Sequence, residues 1–146
     1  MVSNTKLIEF RDIKNTKSRE GYMGHLVPIE AERDIPFAVN RIYYISDVPE
    51  GKTRGFHSHN DLEQVLICLH GSVSVKISTP FEEDHIVLDR LNKGLYIGPM
   101  VWREMYDFSQ DAVLLVLASK HYDENDYIRD YSVYCRQAER YFKGGE

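Results

Sequence analysis

Cysteine is scarce in this chain. Only Cys68 and Cys135 occur in 146 residues, and their separation fits neither a zinc-ligand nor a redox spacing. Cys68 lies in the apolar run VLICL and is expected to be a small buried hydrophobe. No apolar run approaches the about 18 residues that a membrane helix needs. The opening MVSNTKLIEFRD lacks the apolar core of a signal peptide, so a cytoplasmic location is expected. Basic residues are outnumbered, 18 to 23, for a net charge of −5. That balance argues against a general nucleic-acid surface. Any anionic ligand must be held by a few local cations. There is no internal repeat, low-complexity tract or linker. One domain spanning 1–146 is expected, long enough for a hydrophobic core.

What the chain has in excess is tyrosine, ten in all. Tyrosine suits half-buried strands and pockets with a polar end. Short apolar stretches alternate with turn signals at intervals of roughly 8–12 residues, which predicts a sandwich or barrel. The expected strands are KLIEF, HLVPIE, AVNRIYYI, TRGFHSH, EQVLICL, SVSVKIS, HIVLD, GLYIG, VWREMYD and AVLLVLA. SVSVKIS alternates strictly, with Val73, Val75 and Ile77 on one face. AVLLVLA is apolar throughout and should be covered on both faces. Turns are expected at 49–51, 70–71, 80 and 92–94. From about 126 to 142 the pattern turns helical, with Tyr134, Ala138, Tyr141 and Phe142 near one face. That helix should lie across an end of the barrel.

RGFHSHNDLEQ, residues 54–64, carries the densest chemistry. Strand alternation puts His57 and His59 on one face, and Gly55 leaves room beside them. Burying two imidazoles on one strand face costs free energy unless they are used or satisfied. The spacing resembles the first motif of the cupins: Gly51, then His57 and His59, then Gly71. In metal-binding cupins a glutamate follows and a further histidine comes from a second motif. Here Glu63 and Gln64 compete for the acid position and point to opposite faces. Glu104 stands about where the further histidine belongs, with none between His85 and His121. A two-histidine, one-carboxylate iron site is conceivable in principle, but the pattern favours a site with no metal and no other cofactor.

Without metal, the histidines read as acid–base groups. NRIYYI places Arg41, Tyr43 and Ile45 on one face. A tyrosine hydroxyl beside a histidine can relay a proton or hold a developing oxyanion. Arg41, Arg54 and Arg103 fall within strand-like segments. Their forked guanidinium groups suit phosphate, and a rim salt bridge is the competing explanation.

Four blocks then resemble one family in order: DIPFAVNRIYYI (34–45), RGFHSHNDLEQVLICLHGSV (54–73), GLYIGPMVWREMYDFS (94–109) and LASKHYDENDYIRDY (117–131). The chain resembles the sugar-nucleotide 3,4-ketoisomerases, metal-free cupins acting on dTDP-4-dehydro-6-deoxyglucose. The resemblance implies an all-β, jelly-roll barrel with a C-terminal helix. It also implies a homodimer that exchanges N-terminal strands. The implied activity is an intramolecular oxidoreduction that moves the hexose ketone from C4 to C3. Its product would feed 3-amino-3,6-dideoxy sugar synthesis for lipopolysaccharide or other glycans. His57 matches the family's proposed base, and His59 and Tyr43 lie in the same site. Arg103 follows Trp102, where members forming the gluco product carry arginine and the galacto type histidine. Met23 falls at a second discriminating position and matches neither type. Arg41, Arg54, Arg103 and Met23 are therefore the candidate substrate-binding residues, with gluco the expected product. Two other readings fit the sequence: a 3,5-epimerase-like cupin, which usually relies on a histidine–aspartate pair, and a non-catalytic nucleotide-sugar binder.

Overall fold

The computed structural model describes residues 1–13, 21 and 24–143. Ten strands and one helix follow in order. They are β1 (Thr5–Glu9), β2 (Arg41–Ser46), β3 (Arg54–His59), β4 (Gln64–His70), β5 (Val73–Ser78), β6 (Glu83–Leu88), β7 (Lys93–Ile97), β8 (Trp102–Tyr106), β9 (Val113–Ala118), β10 (Tyr127–Ile128) and α1 (Tyr131–Lys143). They form two five-stranded sheets, β1-β7-β4-β9-β2 and β10-β3-β8-β5-β6. Every strand pair is antiparallel. This is the all-β, cupin-like barrel with a C-terminal helix that the sequence predicts.

Alternation builds the interior. Val73, Val75 and Ile77 point inward from β5, and Leu66 and Cys68 from β4. Leu114 and Val116 do so from β9, and Leu95 and Ile97 from β7. Cys68 is buried, as expected. The opposite faces of β4 and β9 are covered as well. Val65, Ile67 and Leu117 pack with Phe10, Ile35 and Phe37 in a second cluster. That cover explains why β9 is apolar on both faces.

Two elements depart from expectation. HLVPIE forms no strand. Pro28 has no N–H to give a ladder, and the segment instead lays Val27 and Ile29 on the second cluster. The helix starts at Tyr131, because residues 124–128 form a 3-10 turn and β10. Asp130 caps it, accepting from Val133 N at 3.1 Å. It packs on the outer face of the second sheet instead of closing a barrel end. Tyr134 and Ala138 meet Met100, outward-facing Trp102 and Ile128. The Tyr134 hydroxyl reaches the carbonyls of Ser78 and Met100 at 3.0 and 2.9 Å. Tyr141 lies half exposed, off that seam.

Candidate active site

A bulge decides where the histidines point. In the β3–β8 ladder, Arg54 pairs Met105 and Gly55 pairs Glu104, but His57, not Phe56, pairs Arg103. The extra residue shifts the parity of the strand. A regular strand would put Phe56 beside Arg103 and turn His57 outward. Gly55 adopts φ +102°, and a Cβ there would stand 2.8 Å from the Arg103 carbonyl oxygen. Only glycine fits that approach without strain. Phe56, at φ 55°, completes the bulge and projects into solvent.

His57 and His59 thereby face inward together, ring centroids 4.9 Å apart. Tyr127, opposite His59 on β10, lies 4.9 Å from the His57 ring and 4.3 Å from that of His59. Each imidazole has a defined tautomer. His57 Nδ1 lies 3.0 Å from the Gly55 carbonyl oxygen, and His59 Nδ1 lies 3.0 Å from Asp126 Oδ2. Both partners accept, so each Nδ1 carries the hydrogen and each Nε2 keeps its lone pair. His59 is 1% exposed, and its Nε2 has no partner among the described residues. Asp126 is fixed in turn, its Oδ1 accepting from Asp61 N at 2.9 Å. Burial first, then the Arg103 charge, pushes the His57 pKa down to about 3. The same causes lower that of His59. Both imidazoles are therefore neutral near pH 7, the form that can accept a proton.

Across the barrel, β2 supplies Arg41 and Tyr43, which face the interior opposite Ala118 and Val116. The Arg41 guanidinium lies 5.3 Å from the Tyr43 ring centroid and 5.7 Å from that of Tyr122. Its buried Nε has no partner among the described residues. Arg103 is 1% exposed and makes no ion pair among the described residues. It donates to the Val101 carbonyl and, at 2.6 Å, to Gln64 Oε1. Burial lowers its pKa to about 10, against the opposing pull of the nearby tyrosines and Asp126, and it stays cationic at neutral pH. Gln64 Nε2 donates to the Tyr43 hydroxyl at 3.1 Å. Burial raises the Tyr43 pKa, and the Gln64 hydrogen bond and the Arg103 charge oppose that rise.

A cleft of about 250 Å³ opens at this end of the barrel, lined by Arg41, His59, Lys120, His121, Asp126 and Tyr127 among others. Of the residues singled out from sequence, Arg41, Tyr43, His57, His59 and Arg103 come together. Arg54 does not: it sits exposed at the opposite end of β3, facing Met105 in the ladder. Met23 lies outside the described residues. Glu104 turns to the outer face, where Trp102 Nε1 donates to it at 3.0 Å. Glu63 also points away, accepting from the Tyr96 hydroxyl at 2.7 Å. Neither carboxylate joins the histidines. Among the described residues no group of three or more His, Cys, Asp or Glu side chains comes together in a form that could hold a metal.

Sequence reasoning missed Asp126 and Tyr127. Both fall in the block LASKHYDENDYIRDY, but no spacing rule ties them to a histidine nearly seventy positions earlier. In the sequence Gln64 signals only an occupant of the acid position of the cupin motif; its place between Tyr43 and Arg103 is a tertiary fact.

The family model described as FdtA: WxcM-like, C-terminal matches residues 3–139. The chain belongs to that family. It is 48% identical over 126 residues to the TDP-4-oxo-6-deoxy-alpha-D-glucose-3,4-oxoisomerase of Aneurinibacillus thermoaerophilus, covering 86% of each chain. Among solved structures it resembles QdtA, a sugar 3,4-ketoisomerase from Thermoanaerobacterium thermosaccharolyticum, in complex with TDP. The TM-score is 0.88 at 52% identity, over 97% of this chain and 99% of that one. A histidine-to-asparagine variant of QdtA in complex with TDP-4-keto-6-deoxyglucose matches with a TM-score of 0.87 at 51% identity, over 96% and 97% of the two chains. The fold and the family thus agree with the resemblance carried by the four sequence blocks.

Proposed function

We propose that this chain is a sugar-nucleotide 3,4-ketoisomerase converting dTDP-4-dehydro-6-deoxy-D-glucose to a dTDP-3-dehydro-6-deoxyhexose. The observation that carries the reading is a neutral, inward-facing His57 whose Nε2 has no partner among the described residues, on a chain 48% identical to a 3,4-oxoisomerase. The substrate ketone at C4 acidifies the C3 hydrogen. His57 Nε2 takes that proton, and the C3–H electron pair becomes the double bond of an enediolate. A proton then passes to O4 and the O3 proton is removed, with Tyr43 and His59 in reach of the exchange. Return of a proton to C4 leaves the ketone at C3. The electron count closes within the sugar, so no external oxidant or reductant is required. His59, held by Asp126, keeps a lone pair toward the same space. Arg41 is the cation suited to the diphosphate, and Arg103 supplies a fixed positive field beside the developing oxyanion. The arginine after Trp102 favours the gluco product, destined for a 3-amino-3,6-dideoxy sugar.

The assembly belongs to the same proposal. β1 is an edge strand paired with β7, from Thr5↔Ile97 to Glu9↔Lys93. In a homodimer with exchanged N-terminal strands, a partner's β1 takes that place. Light scattering giving a monomer mass would remove this part.

One observation favours a second reading. The His59–Asp126 pair is the kind of couple on which 3,5-epimerases rely. Proton NMR of the sugar nucleotide incubated with protein in D₂O separates the possibilities. A 3-keto product with an equatorial C4 hydroxyl supports the proposal. Deuterium at C5 with the ketone still at C4 supports the epimerase. Tight binding without turnover supports a binding protein.

A further inference from the structure

Gln64 joins the two sheets across the polar end of the barrel. It comes from β4 in the first sheet, and its partner Arg103 from β8 in the second. Both are almost sealed from solvent, at 2% and 1% exposure. The direction of each hydrogen bond follows from the chemistry of the ends. A guanidinium has donors and no acceptor. The side of the amide facing Arg103 Nη1, at 2.6 Å, must therefore be the carbonyl oxygen. That leaves the NH₂ group facing Tyr43, so the Tyr43 oxygen accepts at 3.1 Å. A phenol has one proton. Among the described residues the Tyr43 hydroxyl makes no other hydrogen bond, so none of them holds that proton.

We propose that Gln64 is a positioning residue for Tyr43, fixing the phenol as an acceptor toward the protein and a donor toward the bound sugar. The inference rests on the ketoisomerase reading, in which a proton moves between O3 and O4. Tyr43 gives its proton to O4, its O–H bond breaking as the new one forms. The resulting phenolate is held by the Gln64 N–H. Arg103 polarises that amide from the other side, which strengthens the donor. The phenolate then takes the O3 proton and is restored. A residue that merely satisfied Arg103 would need only the carbonyl oxygen. The amide nitrogen is the part that acts on Tyr43.

Gln64→Glu removes that donor and also sets a negative charge against Arg103, so its direct readout is the Tyr43 titration. The carboxylate still accepts from Arg103, but it has no donor for Tyr43 and turns the phenol round to donate to itself. Two readouts follow. In protein labelled with ¹³C at tyrosine Cζ, the Tyr43 signal is identified by its loss in Tyr43→Phe. Its titration should move to higher pH in Gln64→Glu by about one unit or more. In turnover, kcat should fall about 10²-fold with KM changed by no more than about twofold. Added to Tyr43→Phe, the uncharged Gln64→Met, which leaves the Arg103 charge uncancelled, should lower kcat no further. If Gln64→Glu does not fold, Gln64→Met fills similar volume without a donor and carries the same expectations. An unmoved Tyr43 titration, or a full second loss in the double variant, overturns the proposal. Should the wild-type protein make no 3-keto product, the ketoisomerase reading falls, while the titration still decides whether Gln64 sets the phenol.

Discussion

The two ends of the barrel interior are made by the same strands and differ in almost every inward residue. Along β2 the inward positions run Arg41, Tyr43, Ile45; along β4 they run Gln64, Leu66, Cys68; along β8, Arg103 gives way to Met105. The far end is closed by Val73, Val75, Leu88 and Leu114, all nearly inaccessible. At the cleft end the strands deliver two imidazoles, two guanidinium groups, an amide and the phenols of Tyr43 and Tyr127. Burial of apolar surface holds the barrel shut at one end. At the other, each polar group loses hydration and recovers only part of it. Arg103 has no counter-ion, and Arg41 Nε and His59 Nε2 have no partner among the described residues. Free energy lost there is supplied by the apolar end.

If this division is right, the two ends respond differently to mutation. The largest effect belongs to the cleft. His57→Asn should lower kcat by about 10⁴-fold, about 5 kcal/mol of transition-state stabilisation. Nucleotide affinity, measured by calorimetry, should stay close to wild type, because the change removes a base and leaves the cations. Weaker binding at unchanged kcat would take His57 out of the role of base. At the other end, Leu114→Ala should lower unfolding stability by about 2–5 kcal/mol. Turnover per folded molecule should hardly change. A tenfold fall in kcat at unaltered stability would show that the two ends are not separable.

Their legibility in sequence differs for the same reason. The apolar end is written in periodicity. Val73, Val75 and Ile77 can be placed on one face from SVSVKIS alone, and the double cover of β9 from AVLLVLA. The cleft was legible where it lay on strands. His57, His59 and Tyr43 were found from alternation and family likeness. Yet alternation also placed Gly55 beside the histidines, whereas the bulge at Phe56 sets Gly55 opposite outward-facing Glu104. Counting from Arg54 gives the opposite parity. Asp126 and Gln64 were beyond this kind of reading, since their roles come from side chains on other strands. HLVPIE shows the reverse error, in which apolar residues cover a sheet from outside without pairing in it.

The smallest effect, and the one that touches both ends at once, is the dependence of stability on pH. The folded His57 pKa is depressed to about 3 by burial and by Arg103, while an unfolded histidine titrates near about 6.5. Between those values the unfolded chain binds a proton that the folded chain does not, so stability falls as pH falls. Above about pH 6.5 neither state is protonated and the contribution is complete. By pH 5 the loss for His57 is on the order of 2 kcal/mol. His59, lowered by the same causes, adds in the same direction. His57→Asn should flatten the slope of unfolding free energy against pH between 6.5 and 5, whereas Leu114→Ala should lower the whole curve and leave its slope alone. Chemical denaturation of the three proteins across that interval measures both. Equal slopes in wild type and His57→Asn would mean that the imidazole is not held neutral in the folded state, and the free Nε2 on which the proposed chemistry depends would lose its physical basis.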